Sequence, residues 1–213
     1  MNVAIVSESP ADEAALRILV EAVLARPVTA IGAPTRRAGG VGGALAIIGP
    51  TLRWLHYGRR ADALVVVVDA NDSPMHSAAP NETCPDAAEC RLCRLRREIA
   101  RAQGGLSPLP ERGRIHTAAG LAVPAVEAWY LCGRDPNVSE NAWIQGQAAS
   151  SLPYTRKELK RKVYGTSRPS LAMETERAIA EMTRVASALD MLERKFPVGF
   201  GALLADLRRW PKA

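Results

Sequence analysis

The chain has 213 residues, 47% of them hydrophobic and 23% charged, a balance that supports one folded domain with at most an appended subdomain and excludes wholesale disorder. No window reaches the ~18 consecutive apolar residues of a membrane span, and the start Met1-Asn2-Val3-Ala4-Ile5-Val6 carries no basic n-region or cleavage pattern, so the expectation is a soluble cytoplasmic protein. The net charge of +6 invites a nucleic-acid partner, because basic surfaces bind phosphate backbones through counterion release. Charge alone does not separate that from basicity through Arg-rich composition.

In chain order, Asn2 to Val6 reads as a strand, and Ala11 to Leu24 as an amphipathic helix with Asp12 and Glu13 at its positive end. Arg26-Pro27 stops that helix. A second strand is expected over Val28 to Ile31, followed by a turn-rich stretch ending Gly39-Gly40-Val41-Gly42-Gly43. Ala44 to His56 reads as a helix, bent at Gly49-Pro50. Leu64 to Val68, five consecutive aliphatics, suits a strand buried on both faces of a parallel sheet and runs into Asp69-Ala70-Asn71-Asp72. An irregular stretch from Ser73 to Pro85 precedes a charged helix over Ala87 to Gln103. Arg114 to Ala118 is a fourth strand, and a short helix begins near Pro124. Arg156 to Tyr164, Leu171 to Leu192 and Gly201 to Trp210 read as helices. Alternating strands and helices followed by helices predict an α/β fold: a mainly parallel Rossmann-like sheet over residues 1–135, and a helical C-terminal extension over 136–213 packed on it.

In open parallel sheets the functional crevice lies beyond the carboxyl ends of the strands. Glu8 falls two residues after the first strand, Asp69, Asn71 and Asp72 at the end of the Val-rich one, and Glu127 in the helix after the fourth. Each acid alone is a common cap or turn former. Together at one edge they repel, and must share protons or hold a cation; an all-oxygen set suits Mg²⁺ or Mn²⁺.

At these residues the chain resembles the TOPRIM (topoisomerase–primase) domain, in the strings Val6-Ser7-Glu8-Ser9-Pro10-Ala11-Asp12-Glu13 and Val67-Val68-Asp69-Ala70-Asn71-Asp72. It is similar in particular to small stand-alone TOPRIM-like proteins related to the OLD-type nucleases, through Val126-Glu127-Ala128-Trp129-Tyr130-Leu131 and the Lys-bearing Tyr154-Thr155-Arg156-Lys157-Glu158-Leu159-Lys160. By motif order the likeness runs over residues 1–162. Two positions depart from the family pattern: Ser9 stands where a Gly is usual, and Asn71 replaces the second aspartate, leaving Asp72 as a shifted substitute. The resemblance implies a metal-dependent nuclease or phosphoesterase in prokaryotic phage defence or genome maintenance. Asp69, Asp72 and Glu127 would hold the metal, Glu8 would help hold it or move the proton, and a lysine among Lys157, Lys160 and Lys162, with Lys160 chosen, would neutralise phosphate charge. The alternative is a non-catalytic module with a degraded metal site, binding nucleic acid or a protein partner such as an ATPase encoded nearby.

Cys84, Cys90 and Cys93 crowd together, with His76 eight residues earlier, while Cys132 stands apart. In a reducing compartment such a set favours metal over disulfides, and His/Cys/Cys/Cys is a tetrahedral structural-zinc composition. It would staple an insertion over residues 73–105. A free-thiol surface loop is the alternative. The Gly39–Gly43 run lacks the ending of a phosphate-binding P-loop and reads as a loop, with Arg36 and Arg37 as phosphate contacts. No Gly-x-Ser-x-Gly elbow is present; His56 and His116 are expected to be packing or surface residues, and Trp129, Trp143 and Trp210 to lie in the core. Arg91, Arg94, Arg96, Arg97 and Arg101 form one basic helix face, equally suited to solvent and to DNA.

Overall fold

A computed structural model describes residues 1–32, 40–58, 61–110 and 113–211. Four strands, β1 (Asn2–Val6), β2 (Thr29–Ile31), β3 (Ala63–Asp69) and β4 (His116–Ala122), form an all-parallel sheet in the order β2-β1-β3-β4. Between β1 and β2 lies α1 (Pro10–Leu24). Helices α2 (Gly40–Gly58) and α3 (Arg91–Gly104) follow β2 and β3. Because the strand order reverses direction after β1, right-handed crossovers put α1 on one face and α2 with α3 on the other. The contacts agree, since α2 packs on α3 and β3, and α3 on β4.

The expected α/β class, parallel sheet and flanking helices are all present. Every residue of β3 is buried, as a strand covered on both faces requires. β4 runs later than its sequence pattern suggests. It continues through Gly120, where a Cβ would come within 3.0 Å of the Leu203 side chain, so the glycine admits a helix close to the sheet. The Gly40–Gly43 run is not a loop but the first turn of α2: Gly43 and Ala44 are buried, and packing outweighs the weak helix propensity of glycine. Pro50 lies within that helix, as expected. Arg36, Arg37 and Gly39 lie outside the described residues.

Past β4 come α4 (Val126–Tyr130), α5 (Glu140–Ala148), α6 (Arg156–Tyr164), α7 (Leu171–Ala186), α8 (Leu189–Lys195) and α9 (Gly199–Arg208). α6 begins at a capping box, Thr155 with Glu158, and ends at Gly165 at φ +77°. The expected single helix over Leu171–Leu192 is two, α7 and α8, and α5 has no counterpart in the sequence reading. These helices are part of the core: α7 packs on α1, and α9 on β4 and α1. Glu140, buried on α5, accepts hydrogen bonds from the Val198 and Gly199 amides at 2.7 and 2.8 Å and so caps the start of α9. Trp129, Trp143 and Trp210 are buried, and His56 holds the Ser107 carbonyl at 2.9 Å. Among the described residues no helix is long and apolar enough to cross a membrane.

Candidate functional sites

The point where strand order reverses lies between β1 and β3, and three of the four acids expected there, Glu8, Asp69 and Glu127, share one neighbourhood. Glu8, just past β1, accepts a 3.3 Å hydrogen bond from the Asp69 amide. Asp69, the last residue of β3, is held on three sides. Its Oδ1 accepts from the Val126 amide at 3.1 Å, its Oδ2 takes Arg156 Nη2 at 2.6 Å, and its carbonyl accepts Arg91 Nη1 at 2.6 Å. Glu127, buried in the first turn of α4, faces Lys160 Nζ at 3.6 Å, and Lys160 also holds Glu174 of α7 at 3.2 Å.

Burial, followed by the charges of Glu127 and Glu8, raises the Asp69 carboxyl well above its ordinary range, against the opposing pull of Arg156. Asp12, on the first turn of α1, is pushed up to about 7 by burial and then by Glu127. Burial likewise raises Glu127, although Lys160 and Arg156 oppose it. Burial works against the charge of Lys160, but Glu127 and Glu174 outweigh it and raise its pKa. Five carboxylates, Glu8, Asp12, Asp69, Glu127 and Glu174, thus share one neighbourhood with Arg156 and Lys160. Glu127 Oε2 and the hydroxyls of Tyr130 and Tyr164 are buried there with no hydrogen-bond partner. Excess buried negative charge and an orphaned carboxylate oxygen call for protons or a cation.

Asp72 is exposed in the turn after β3, away from these contacts. Asn71 adopts φ +50°, its amide bonded to the Pro124 carbonyl, and its side-chain oxygen is unpartnered. Lys162 pairs with Asp135 rather than with the carboxylate edge, and Lys157 is exposed. Asp12, Arg156 and Glu174 belong to the edge, yet sequence reading gave them no such role. Arg156 lay beside the lysines that it considered, and the bidentate-capable guanidinium was the available signal. Glu174 had none, since it is the packing of α7 on α1, α4 and α6 that brings it in.

The second constellation is more compact. His76, Cys84, Cys90 and Cys93 are all buried, with one ligand atom from each lying within 4.8 Å of the others. His76 Nδ1 lies 3.3 Å from Cys90 Sγ and 3.5 Å from Cys93 Sγ, and Cys84 Sγ lies 3.3 Å from Cys93 Sγ. Ligands about 2.0–2.3 Å from a tetrahedral ion stand roughly 3.5–3.8 Å apart, so this set is close to a preformed shell. His76 Nε2 lies 3.1 Å from the Ala79 carbonyl; donating there, it leaves the Nδ1 lone pair facing the sulfurs. Burial lowers the His76 pKa and keeps the ring neutral, the form that ligates. Cys90 stands at the N-cap position of α3 and Cys93 in its first turn, so both sulfurs are carried by the start of one helix. Without a cation, burial pushes the Cys90 thiol up to about 12, a tendency that a bound metal reverses. All four cysteines are free of disulfides, and Cys132 is buried elsewhere. The cluster can hold a structural metal ion such as zinc. It is the one group of this compactness among the described residues, and the carboxylates do not close to the same extent.

The basic helix face is largely engaged within the molecule: Arg91 on Asp69, Arg96 on the Pro80 carbonyl and Asp206, and Arg101 on Glu98. No family model, curated protein or solved structure matches this chain, so the two constellations themselves carry the functional argument.

Proposed function

We propose that the carboxylate edge is the site of a divalent-metal-dependent phosphodiester hydrolase acting on nucleic acid, the activity that the TOPRIM resemblance implies. The observation that carries this reading is the convergence of Glu8, Asp69 and Glu127 with Arg156 and Lys160 at the strand-order reversal. The residues fit a hard cation: the donors are carboxylate oxygens, they outnumber the cations beside them, and Glu127 Oε2 is buried without a partner. Asp69 and Glu127 would hold Mg²⁺ or Mn²⁺ with help from Glu8; the ion would supply Lewis-acid activation of the phosphoryl oxygen. Arg156, whose side chain is 41% exposed, would leave Asp69 to take a phosphate oxygen. Lys160 would neutralise charge developing on the scissile phosphate. Glu8, only half-buried, is the acid able to exchange a proton with an attacking water. Asp72 has no part in this arrangement beyond the turn it occupies.

The test is cleavage of single- and double-stranded DNA and of RNA at millimolar Mg²⁺ or Mn²⁺, with Asp69→Ala alongside, its fold checked by circular dichroism. Metal-dependent cutting lost in the variant is the expected result. No cutting of any substrate by the unaltered chain, or cutting that survives Asp69→Ala, overturns the reading.

Two observations favour a second reading: Arg156 already pairs with Asp69 as an internal counter-ion, and Asn71 stands where a second aspartate would serve. On that reading the domain binds nucleic acid or a protein such as an ATPase without catalysis. Failure of Mn²⁺ to bind at millimolar concentration, together with salt-dependent nucleic-acid binding, would establish it. On either reading His76, Cys84, Cys90 and Cys93 would hold structural zinc. About one equivalent in the purified protein is expected, and less than about half an equivalent removes the assignment.

A further inference from the structure

We infer that the metal cluster positions the carboxylate edge through Arg91, making Arg91 a positioning residue for Asp69. This rests on the zinc assignment and not on the hydrolase reaction.

The chain leaves β3 at Asp69, supplies His76, Cys84 and Cys90 to the cluster, and returns at once to Asp69 through Arg91. Arg91 is flanked by two of the ligands, Cys90 before it and Cys93 two residues on. With both sulfurs fixed by one ion, the backbone at Arg91 is anchored at the start of α3. From there Nη1 reaches the Asp69 carbonyl at 2.6 Å. That bond closes a ring running from residue 69 to residue 91.

The turn within the ring is held at its other side by β4 and the segment after it. Ala70 donates to the Ala122 carbonyl, Asn71 to the Pro124 carbonyl, and the Ser73 amide and hydroxyl both bond the Ala70 carbonyl. Asp69 is therefore clamped between the Ala122–Val126 segment and Arg91, and its carboxylate points at the Val126 amide and Arg156. Loss of the metal frees Cys90 and Cys93. Arg91 loses its anchor, and the Arg91 side of the clamp opens.

Amide hydrogen exchange over residues 69–73 reads this linkage whether or not the protein cleaves nucleic acid. The samples are the zinc-loaded protein, the same protein after chelation, and Arg91→Ala and Arg91→Lys, each assayed for zinc and, after cobalt substitution, for its visible absorption spectrum. Arg91→Ala should retain about one metal and an unchanged cobalt spectrum, while exchange at residues 69–73 accelerates at least about tenfold, the scale of one charge-assisted hydrogen bond. Arg91→Lys, which restores a charged donor, should recover most of the protection. Chelated protein should resemble Arg91→Ala at these amides. The inference is overturned if Arg91→Ala stays within about twofold of the unaltered chain, or if chelation leaves residues 69–73 protected. It is overturned equally if Arg91→Ala loses the metal, which would make Arg91 a support of the cluster rather than its output.

Discussion

The Cys/His cluster and the carboxylate edge lie at the two ends of one loop, and they solve the burial of polar groups in opposite ways. In the cluster, four ligand atoms converge within 4.8 Å and are balanced by no ion pair of their own. Such a set can hold one tightly bound cation such as zinc, a role that suits architecture. At the edge, acids and bases are interleaved: Arg156 on Asp69, Lys160 between Glu127 and Glu174, and Asp12 pushed up to about 7 by burial and then by Glu127. Protons, arginine and a divalent ion can each neutralise that set, and a site with several near-equivalent solutions suits exchange. The lesson is that a compact donor set without counter-ions is suited to one fixed ion, whereas an interleaved set is already partly neutralised from within.

The largest expected effect breaks the cluster. Removing its metal with a chelator, or replacing Cys93 with Ser, should lower stability by about 4 kcal/mol or more, seen as a fall in Tm of at least ~10 °C that tracks zinc content. A Tm indifferent to metal would erase the distinction between the two regions.

The next effect belongs to the edge and to pH. Asp12 titrates at 3.8 when unfolded and at about 7 when folded, so the folded state holds the proton more tightly. The resulting stability is complete below pH 3.8 and is lost as pH rises through about 7, a loss on the order of 4 kcal/mol. Asp12→Asn should flatten denaturant-derived stability over that window. A slope unchanged in the variant would show that Asp12 does not report the edge.

Metal at the edge should act more weakly than metal in the cluster. At neutral pH, Mg²⁺ or Mn²⁺ at a hundred times its Kd would add about 2.7 kcal/mol. Asp69→Asn should abolish that increment while leaving the zinc content unaltered. Retained stabilisation in Asp69→Asn would place the ion elsewhere. The smallest effect is at Cys132, buried but outside the cluster. Cys132→Ala should cost only about 1 kcal/mol with zinc fully retained, measured by melting and metal analysis. Loss of zinc in that variant would redraw the ligand set.

Much of this was legible in the chain. The aliphatic run Leu64–Val68 suited a strand covered on both faces, and Cys84, Cys90 and Cys93, with His76 before them, marked a candidate metal set. Glu8, Asp69 and Glu127 were recoverable because each follows a strand of a parallel sheet. Asp72 was not separable from them by sequence, since only the turn after Asp69 decides which way it faces.

What the sequence determined by itself is local in origin: the strand and helix periods, the parallel class, and ligands closely spaced along the chain. What only the tertiary structure decided is which distant charges neutralise which. Arg156 reaches Asp69 because α6 packs on α4, and Glu174 reaches Lys160 because α7 packs on α6 and α1. Hydrophobic patterning specifies which face of a helix is buried, whereas the pairing of charges depends on the separations that packing creates. For that reason the Cys/His cluster could be read as a string of residues, whereas the charge pairing at the carboxylate edge had to be seen folded.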